Sequence, residues 1–191
     1  TFTIADTGAN LAGLSAGQIG ALSLQGVDVI DATDDALSLT VAQYHALGTV
    51  ARTAGDTVTL SDTGAGLNGL TLSDYQALAA NGIDVIDATD DAYAMSVAEF
   101  NALGSVALTG GDTITVSDTG ANLSALTAGQ IAAMATAGID SFDASDNVLT
   151  LSGAQYNQIV TSSVGLTGGD TVTMSDDNGT ISGMSAASIQ G

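Results

Sequence analysis

One segment occurs three times. Val27-Asp28-Val29-Ile30-Asp31-Ala32-Thr33-Asp34-Asp35 returns 56 residues later as Ile83-Asp84-Val85-Ile86-Asp87-Ala88-Thr89-Asp90-Asp91. It returns 56 residues further on, more loosely, as Ile139-Asp140-Ser141-Phe142-Asp143-Ala144-Ser145-Asp146-Asn147. A fixed period of this length is the mark of a repeat architecture, in which no unit can bury its apolar face alone and stacked neighbours share one core. The 191 residues are therefore expected to form a single repeat domain, 1–191, with double repeats beginning near 1, 56, 112 and 170.

Within each double repeat an apolar-x-apolar-x-Asp pattern recurs: Phe2-Ile4-Asp6, Val27-Val29-Asp31, Val58-Leu60-Asp62, Ile83-Val85-Asp87, Ile114-Val116-Asp118, Ile139-Ser141-Asp143 and Val172-Met174-Asp176. Alternation of period two is a strand signal with one buried face. The Asp residues are spaced 25, 31, 25, 31, 25 and 33 apart, so short and long coils alternate. Capping boxes follow at Ser15-x-x-Gln18, Thr40-x-x-Gln43, Thr71-x-x-Asp74, Ser96-x-x-Glu99, Thr127-x-x-Gln130 and Ser152-x-x-Gln155, and Ser185 starts a seventh helix. Leu14, Ile19 and Leu22 recur as Leu39, Tyr44 and Leu47, as Leu70, Tyr75 and Leu78, and as Met95, Phe100 and Leu103, an inward stripe for short helices. Gly26, Gly48, Gly82, Gly104 and Gly138 stand where helices should stop. The long coils add Val50–Gly55, Val106–Gly111 and Val164–Gly169, read as a further extended side and a turn. Strands joined through short helices pair in parallel, with right-handed crossovers. The expected fold is a right-handed parallel α/β solenoid of about seven strand–helix coils, similar in coil logic to leucine-rich repeats.

Charge narrows the function. Twenty-one acids, all Asp but Glu99, face one base, Arg52, for a net charge of −20. Nucleic acid and anionic membrane are unsuitable partners for such a surface. Yet 45% of residues are hydrophobic and mean hydropathy is +0.35, which is not the composition of a disordered acidic tail. There is no Cys, hence no disulfide or thiolate site. No apolar run reaches the roughly 18 residues of a membrane span. Both ends lie inside repeats, so a piece of a longer array is expected, joined to neighbouring repeats or to end-to-end copies of itself.

The recurring acids are the candidate site. Stacked strands would bring Asp6, Asp31, Asp62, Asp87, Asp118, Asp143 and Asp176 into a ladder with roughly 4.8 Å between rungs. At that spacing two carboxylates repel by about 1 kcal/mol in water and about 4 at an effective dielectric of 20. Either each Asp accepts backbone N–H groups of its own turn, or a hard cation sits between coils. Asp31, Asp34 and Asp35 supply three carboxylates in five residues, as do Asp87, Asp90 and Asp91, while Asp143 and Asp146 are joined by Asn147. These are the candidate calcium ligands, and Ca²⁺ is the one cofactor the pattern suggests.

Gly110-Gly111-Asp112-Thr113-Ile114 and Gly168-Gly169-Asp170-Thr171-Val172 resemble the Gly-Gly-x-Gly-x-Asp nonapeptides of calcium-binding RTX proteins. The Asp-, Gly- and Thr-rich, Cys-free composition is similar to that of giant bacterial adhesins exported by type I secretion. The resemblance implies an extracellular or cell-surface protein with a structural role. Thr1/Thr3, Thr57/Thr59, Thr113/Thr115 and Thr171/Thr173 resemble the Thr-x-Thr arrays of ice-binding solenoids, although Asp28, Asp84 and Asp140 interrupt them and the β-preference of exposed Thr accounts for them as well. Catalysis has little to work with. His45 is the only His, on a solvated helix position, and Cys- and Lys-based mechanisms are excluded within these residues. An active site would also break the repeat at one place. A structural module is expected, not an enzyme.

Overall fold

The structure is a computed structural model that describes residues 1–177. A seven-element cycle runs through it three times. The first pass is β1 (Thr3–Asp6), α1 (Gly8–Ala12), α2 (Ala16–Leu24), β2 (Val29–Ala32), β3 (Ala36–Leu39), α3 (Val41–Leu47) and β4 (Ala51–Arg52). The second is β5 (Thr57–Asp62), α4 (Gly64–Leu67), α5 (Leu72–Leu78), β6 (Val85–Ala88), β7 (Ala92–Met95), α6 (Val97–Ala102) and β8 (Ala107–Leu108). The third is β9 (Thr113–Asp118), α7 (Gly120–Ser124), α8 (Ala128–Thr136), β10 (Ser141–Ala144), β11 (Val148–Leu151), α9 (Gly153–Ser162) and β12 (Gly165–Leu166), with β13 (Thr171–Met174) opening a further pass. The fold is α/β with parallel sheets. The expected helix at Ser185 lies outside the described residues.

Local chemistry sets the element ends. All six expected capping boxes between Ser15 and Gln155 form, with the Ser or Thr hydroxyl accepting the N–H three residues on and the acid or amide side chain returning to the cap N–H. Gly26, Gly48, Gly82, Gly104 and Gly138 all take positive φ, between 57° and 99°, the backbone region that glycine enters without steric cost. The inserts after the helices are the short strands β4, β8 and β12, as the sequence indicates.

Two compact units make up the chain: Thr1–Tyr93 with Asn101–Asp112, and Ala94–Phe100 with the residues from Thr113 on. In the first, β1-β2-β4 form one parallel sheet and β3-β5-β6-β8 another. Its core holds Leu37, Leu39, Leu47, Leu60, Leu67, Tyr75, Leu78 and Ile86, with α2 packed on α3. In the second, β10 lies between β9 and β12, β11 pairs with β13, and α8 packs on α9. Ile114, Val116, Ile131, Met134, Phe142, Leu149 and Leu151 fill that core.

Register corrects the Asp ladder. Leu60 pairs with Ile86, Ile4 with Ile30 and Val116 with Phe142, an offset of 26 residues where alignment on the Asp predicts 25. Asp6, Asp62 and Asp118 therefore stand opposite Ala32, Ala88 and Ala144. Asp31, Asp87 and Asp143 stand opposite Ala5, Ser61 and Ser117. No carboxylate in these pairs faces another. The reason is the apolar phase: β2, β6 and β10 bury Ile30/Ala32, Ile86/Ala88 and Phe142/Ala144, not Val29, Val85 and Ser141. A one-residue slip moves every side chain to the opposite face. The next rung differs too, because β2 continues into β4 whereas β5 pairs with β3. Of the residues expected within helices, Leu39 and Met95 belong to β3 and β7, Leu14 and Leu70 precede α2 and α5, and Leu103 follows α6.

Candidate functional site

The acidic turns are built from backbone needs. Asp35, Asp91 and Asn147 sit at φ 57°, 55° and 57°, the left-handed region that short Asp and Asn side chains tolerate. That the third copy carries Asn is consistent with a conformational requirement and not a charge requirement. Asp34, Asp90 and Asp146 each present Oδ1 to the N–H of Gly8, Gly64 and Gly120, at 2.7, 2.7 and 2.9 Å. Those glycines open α1, α4 and α7, and they lie so close to the neighbouring strand that a Cβ would sit 1.7 to 1.9 Å from the carbonyl oxygen of Ala36, Ala92 or Val148. Asp87 accepts the Ser61 hydroxyl at 2.7 Å, and Asp143 accepts those of Ser117 and Thr167 at 2.7 and 2.6 Å. Thr167 first, then Ser117, holds the Asp143 carboxyl below its ordinary value against the opposing effect of burial. Asp31 faces Ala5 and has no such hydroxyl.

The other Asp class serves helix starts. Asp6, Asp62 and Asp118 accept the next residue's N–H through Oδ1, at 2.8, 2.9 and 2.8 Å. Asp62, Asp118 and Asp176 give Oδ2 to the first N–H of α3, α6 and α9, on Val41, Val97 and Gly153. Carboxylates at helix N-termini satisfy donors that the helix itself leaves free. A third set, absent from the expected site, does similar work: Asp56, Asp112 and Asp170 accept the N–H of Ala32, Ala88 and Ala144 at 2.9, 2.9 and 3.0 Å. The Gly-Asp-Thr recurrence was their signal. Among the described residues no group of three or more His, Cys, Asp or Glu side chains is arranged to hold a metal ion. Within the clusters Asp31/Asp34/Asp35, Asp87/Asp90/Asp91 and Asp143/Asp146, Asp34, Asp90 and Asp146 are turned to glycine N–H groups and Asp87 and Asp143 to hydroxyls.

The repeat is broken around Arg52. Tyr44 and His45 on α3, Arg52 on β4, Asp74 on α5, and Asn81 just beyond it line one depression of about 160 Å³ with Gly48. It adjoins a larger one of about 680 Å³, whose walls share Gly48, Arg52 and Asn81 and include Thr49, Thr53 and Asp84. Asn81 Nδ2 donates to the Tyr44 hydroxyl at 2.9 Å, and His45 Nε2 lies 3.4 Å from Asp74 Oδ1. Burial alone would push the Asp74 carboxyl up, but the Thr71 hydroxyl and N–H together with His45 outweigh it and leave it below its ordinary value. Arg52 has a buried Nε without a partner, and burial pulls its guanidinium below the usual value against the opposing pull of Tyr44. His45 is exposed, as the sequence indicates, whereas sequence reasoning passed over Arg52 as a site residue. The available signal was departure from the repeat: Arg52 is Leu108 and Leu166 in the other copies, Asn81 is Gln25 and Ala137, and Asp74 is Gln18 and Gln130.

Fold and site together define an α/β protein with parallel sheets, an internal repeat, and carboxylates spent mainly on backbone amides. No family model, curated protein or solved structure matches the chain. None of the described helices is long and apolar enough to cross a membrane.

Proposed function

We propose that the chain is a structural repeat module, a right-handed parallel α/β solenoid of about seven coils. On this reading it belongs to a secreted, acidic, RTX-like protein of the bacterial cell surface or matrix, of the adhesin-stalk or surface-layer type, and has no catalytic role. It would act extracellularly, and its partners would be neighbouring repeats or end-to-end copies. One observation carries the reading: the residues that recur most faithfully, the Asp carboxylates, receive backbone N–H groups copy after copy. Residues held constant for such bonds maintain a shape. Small-angle scattering should give an elongated particle, and antibody against the chain should label intact, unpermeabilised cells of its source. A compact sphere or purely cytoplasmic labelling would sink the proposal.

Calcium binding at the acidic turns is the alternative, and melting separates the two. Twenty net negative charges oppose compaction in either case, so both salts should raise the melting temperature. For a purely structural module, NaCl at a few tenths molar matches millimolar CaCl₂, because screening alone is at work. Sites that bind Ca²⁺ only when folded would instead add about 2.7 kcal/mol each at 100 times their dissociation constant. A calcium-selective shift that disappears in Asp87→Asn with Asp90→Asn would favour the alternative.

A further inference from the structure

We propose that the depression around Arg52 is a binding site for a small polyhydroxylated monocarboxylate, a sugar acid in chemical class. Arg52 is the only base in a chain of 21 acids, yet it makes no hydrogen bond and no ion pair among the described residues. A guanidinium has five N–H donors in a planar fork, and its natural complement is a carboxylate gripped by two of them. Partial burial of a guanidinium whose Nε has no partner among the described residues is costly unless a ligand completes the set. The fold does not demand a cation here, since Leu108 and Leu166 occupy the same strand position in β8 and β12. Space is kept open beside it: a Cβ on Gly48 would meet nothing within 4 Å, and one on Gly82 would meet only the Arg52 Nε, at 3.8 Å.

The rest of the lining selects the body of the ligand. Asp84 gives Oδ2 to the Val58 N–H and has Oδ1 unengaged. Asn81 donates to Tyr44, so its Oδ1 likewise stays available, and Thr53 donates to the Ile30 carbonyl and retains acceptor capacity. One fork of donors is therefore surrounded by acceptors, which hydroxyl groups would satisfy. Asp56 and Asp84 line the larger depression and Asp74 the smaller, so a dianion such as a phosphate monoester is repelled more strongly than a monoanion whose single charge is matched by Arg52. A volume of about 680 Å³ is in the range of small-molecule sites. The inference does not depend on whether the chain is a structural module.

Glucuronate is the probe, with acetate and glucose as controls, read by chemical-shift perturbation of the Arg52 side chain and the Asn81 and Gly82 amides. Glucuronate should shift these signals saturably, whereas acetate, lacking hydroxyls, and glucose, lacking the carboxylate, should bind at least about tenfold more weakly, the equivalent of about one net hydrogen bond. Arg52→Leu installs the residue of the other copies and should abolish the shifts while keeping a cooperative melt. Asn81→Ala, which removes an acceptor and leaves the strand intact, should weaken binding and serves if Arg52→Leu does not fold. Absence of saturable shifts with glucuronate overturns the proposal, as does acetate binding equally well. Concentration-dependent self-association that Arg52→Leu removes, without glucuronate binding, would also overturn it and assign the guanidinium to a carboxylate of a second copy.

Discussion

Single atoms decide much at Gly8, Gly64 and Gly120. Each brings a backbone N–H to an Asp carboxylate while its Cα lies against a strand carbonyl, so no side chain fits. Gly120→Ala should cost about 3 kcal/mol or more in urea unfolding, since a carbonyl in a paired strand cannot move aside as a side-chain tip can; a loss below about 1 kcal/mol would refute the close approach. The left-handed positions behave oppositely. Asp91→Asn should be nearly neutral, because Asn147 holds the same φ in the third copy, whereas Asp91→Ala should cost about 1 kcal/mol. Equal effects of the two changes would mean that charge, not conformation, matters there. Acid supplies a further check. The Asp143 carboxyl lies below its ordinary 3.8 when folded, so the unfolded chain binds protons more readily. Its contribution is complete above the unfolded value and is lost as pH falls through the lower folded one. Thr167→Val with Ser117→Ala should flatten the acid limb of stability against pH, and leave the slope above pH 6 unchanged.

At the scale of elements the informative case is the amide inside α3 and α9. Gln43 Oε1 accepts the Thr40 N–H at 2.7 Å while its Nε2 donates to the carbonyls of Ala12 and Leu14 at 2.8 and 2.6 Å. Gln155 does the same with Ser152, Ser124 and Leu126. Glu99 occupies the corresponding place in α6, accepts the Ser96 N–H, and has no N–H to donate. Gln43→Glu should therefore cost about 1–3 kcal/mol at neutral pH, and Glu99→Gln should stabilise, both read by denaturant midpoints. A stable Gln43→Glu variant would show that the amide bridge is dispensable. The capping boxes and the glycine stops were legible in the sequence because each is a local chemical need stated in two or three residues. The register was not. Asp is a conspicuous marker, but Asp31 and Asp62 mark different positions on their strands, and the alternation Ile30/Ala32 that fixes the phase is carried by a small residue easily passed over. Strands β3, β7 and β11 were hidden for a related reason: Leu37/Leu39, Tyr93/Met95 and Leu149/Leu151 alternate clearly, yet each run abuts a capping box and reads as the approach to a helix. Helices α1, α4 and α7 are too short to show a period at all. The pocket residues were individually visible, but nothing local announces that Tyr44, Arg52 and Asn81 converge.

For the whole molecule the period itself can be tested. If the solenoid reading holds, excising residues 57–112 joins Asp56 to Thr113 and recreates the native Asp112–Thr113 junction, so the shortened chain should fold with a cooperative melt. Excising one residue more or fewer turns the following strand face about and should abolish that melt. Two equally cooperative products would show that the copies are independent of register. The high charge is spread over carboxylates of which most, though not all, already accept an amide N–H through at least one oxygen. Arg52 has a consequence of another kind. A protease that cleaves after Lys or Arg finds one bond in these 191 residues, Arg52–Thr53. That bond lies where the N–H groups of Ala51 and Thr53 are tied to the carbonyls of Asp28 and Ile30 at 2.9 and 3.0 Å. An enzyme needs the segment extended and free in its cleft, so cutting must wait for this stretch to open. Endurance against trypsin-like digestion thus rests on the local opening of a two-residue strand, and the rate of that single cut is a direct measure of how often it opens.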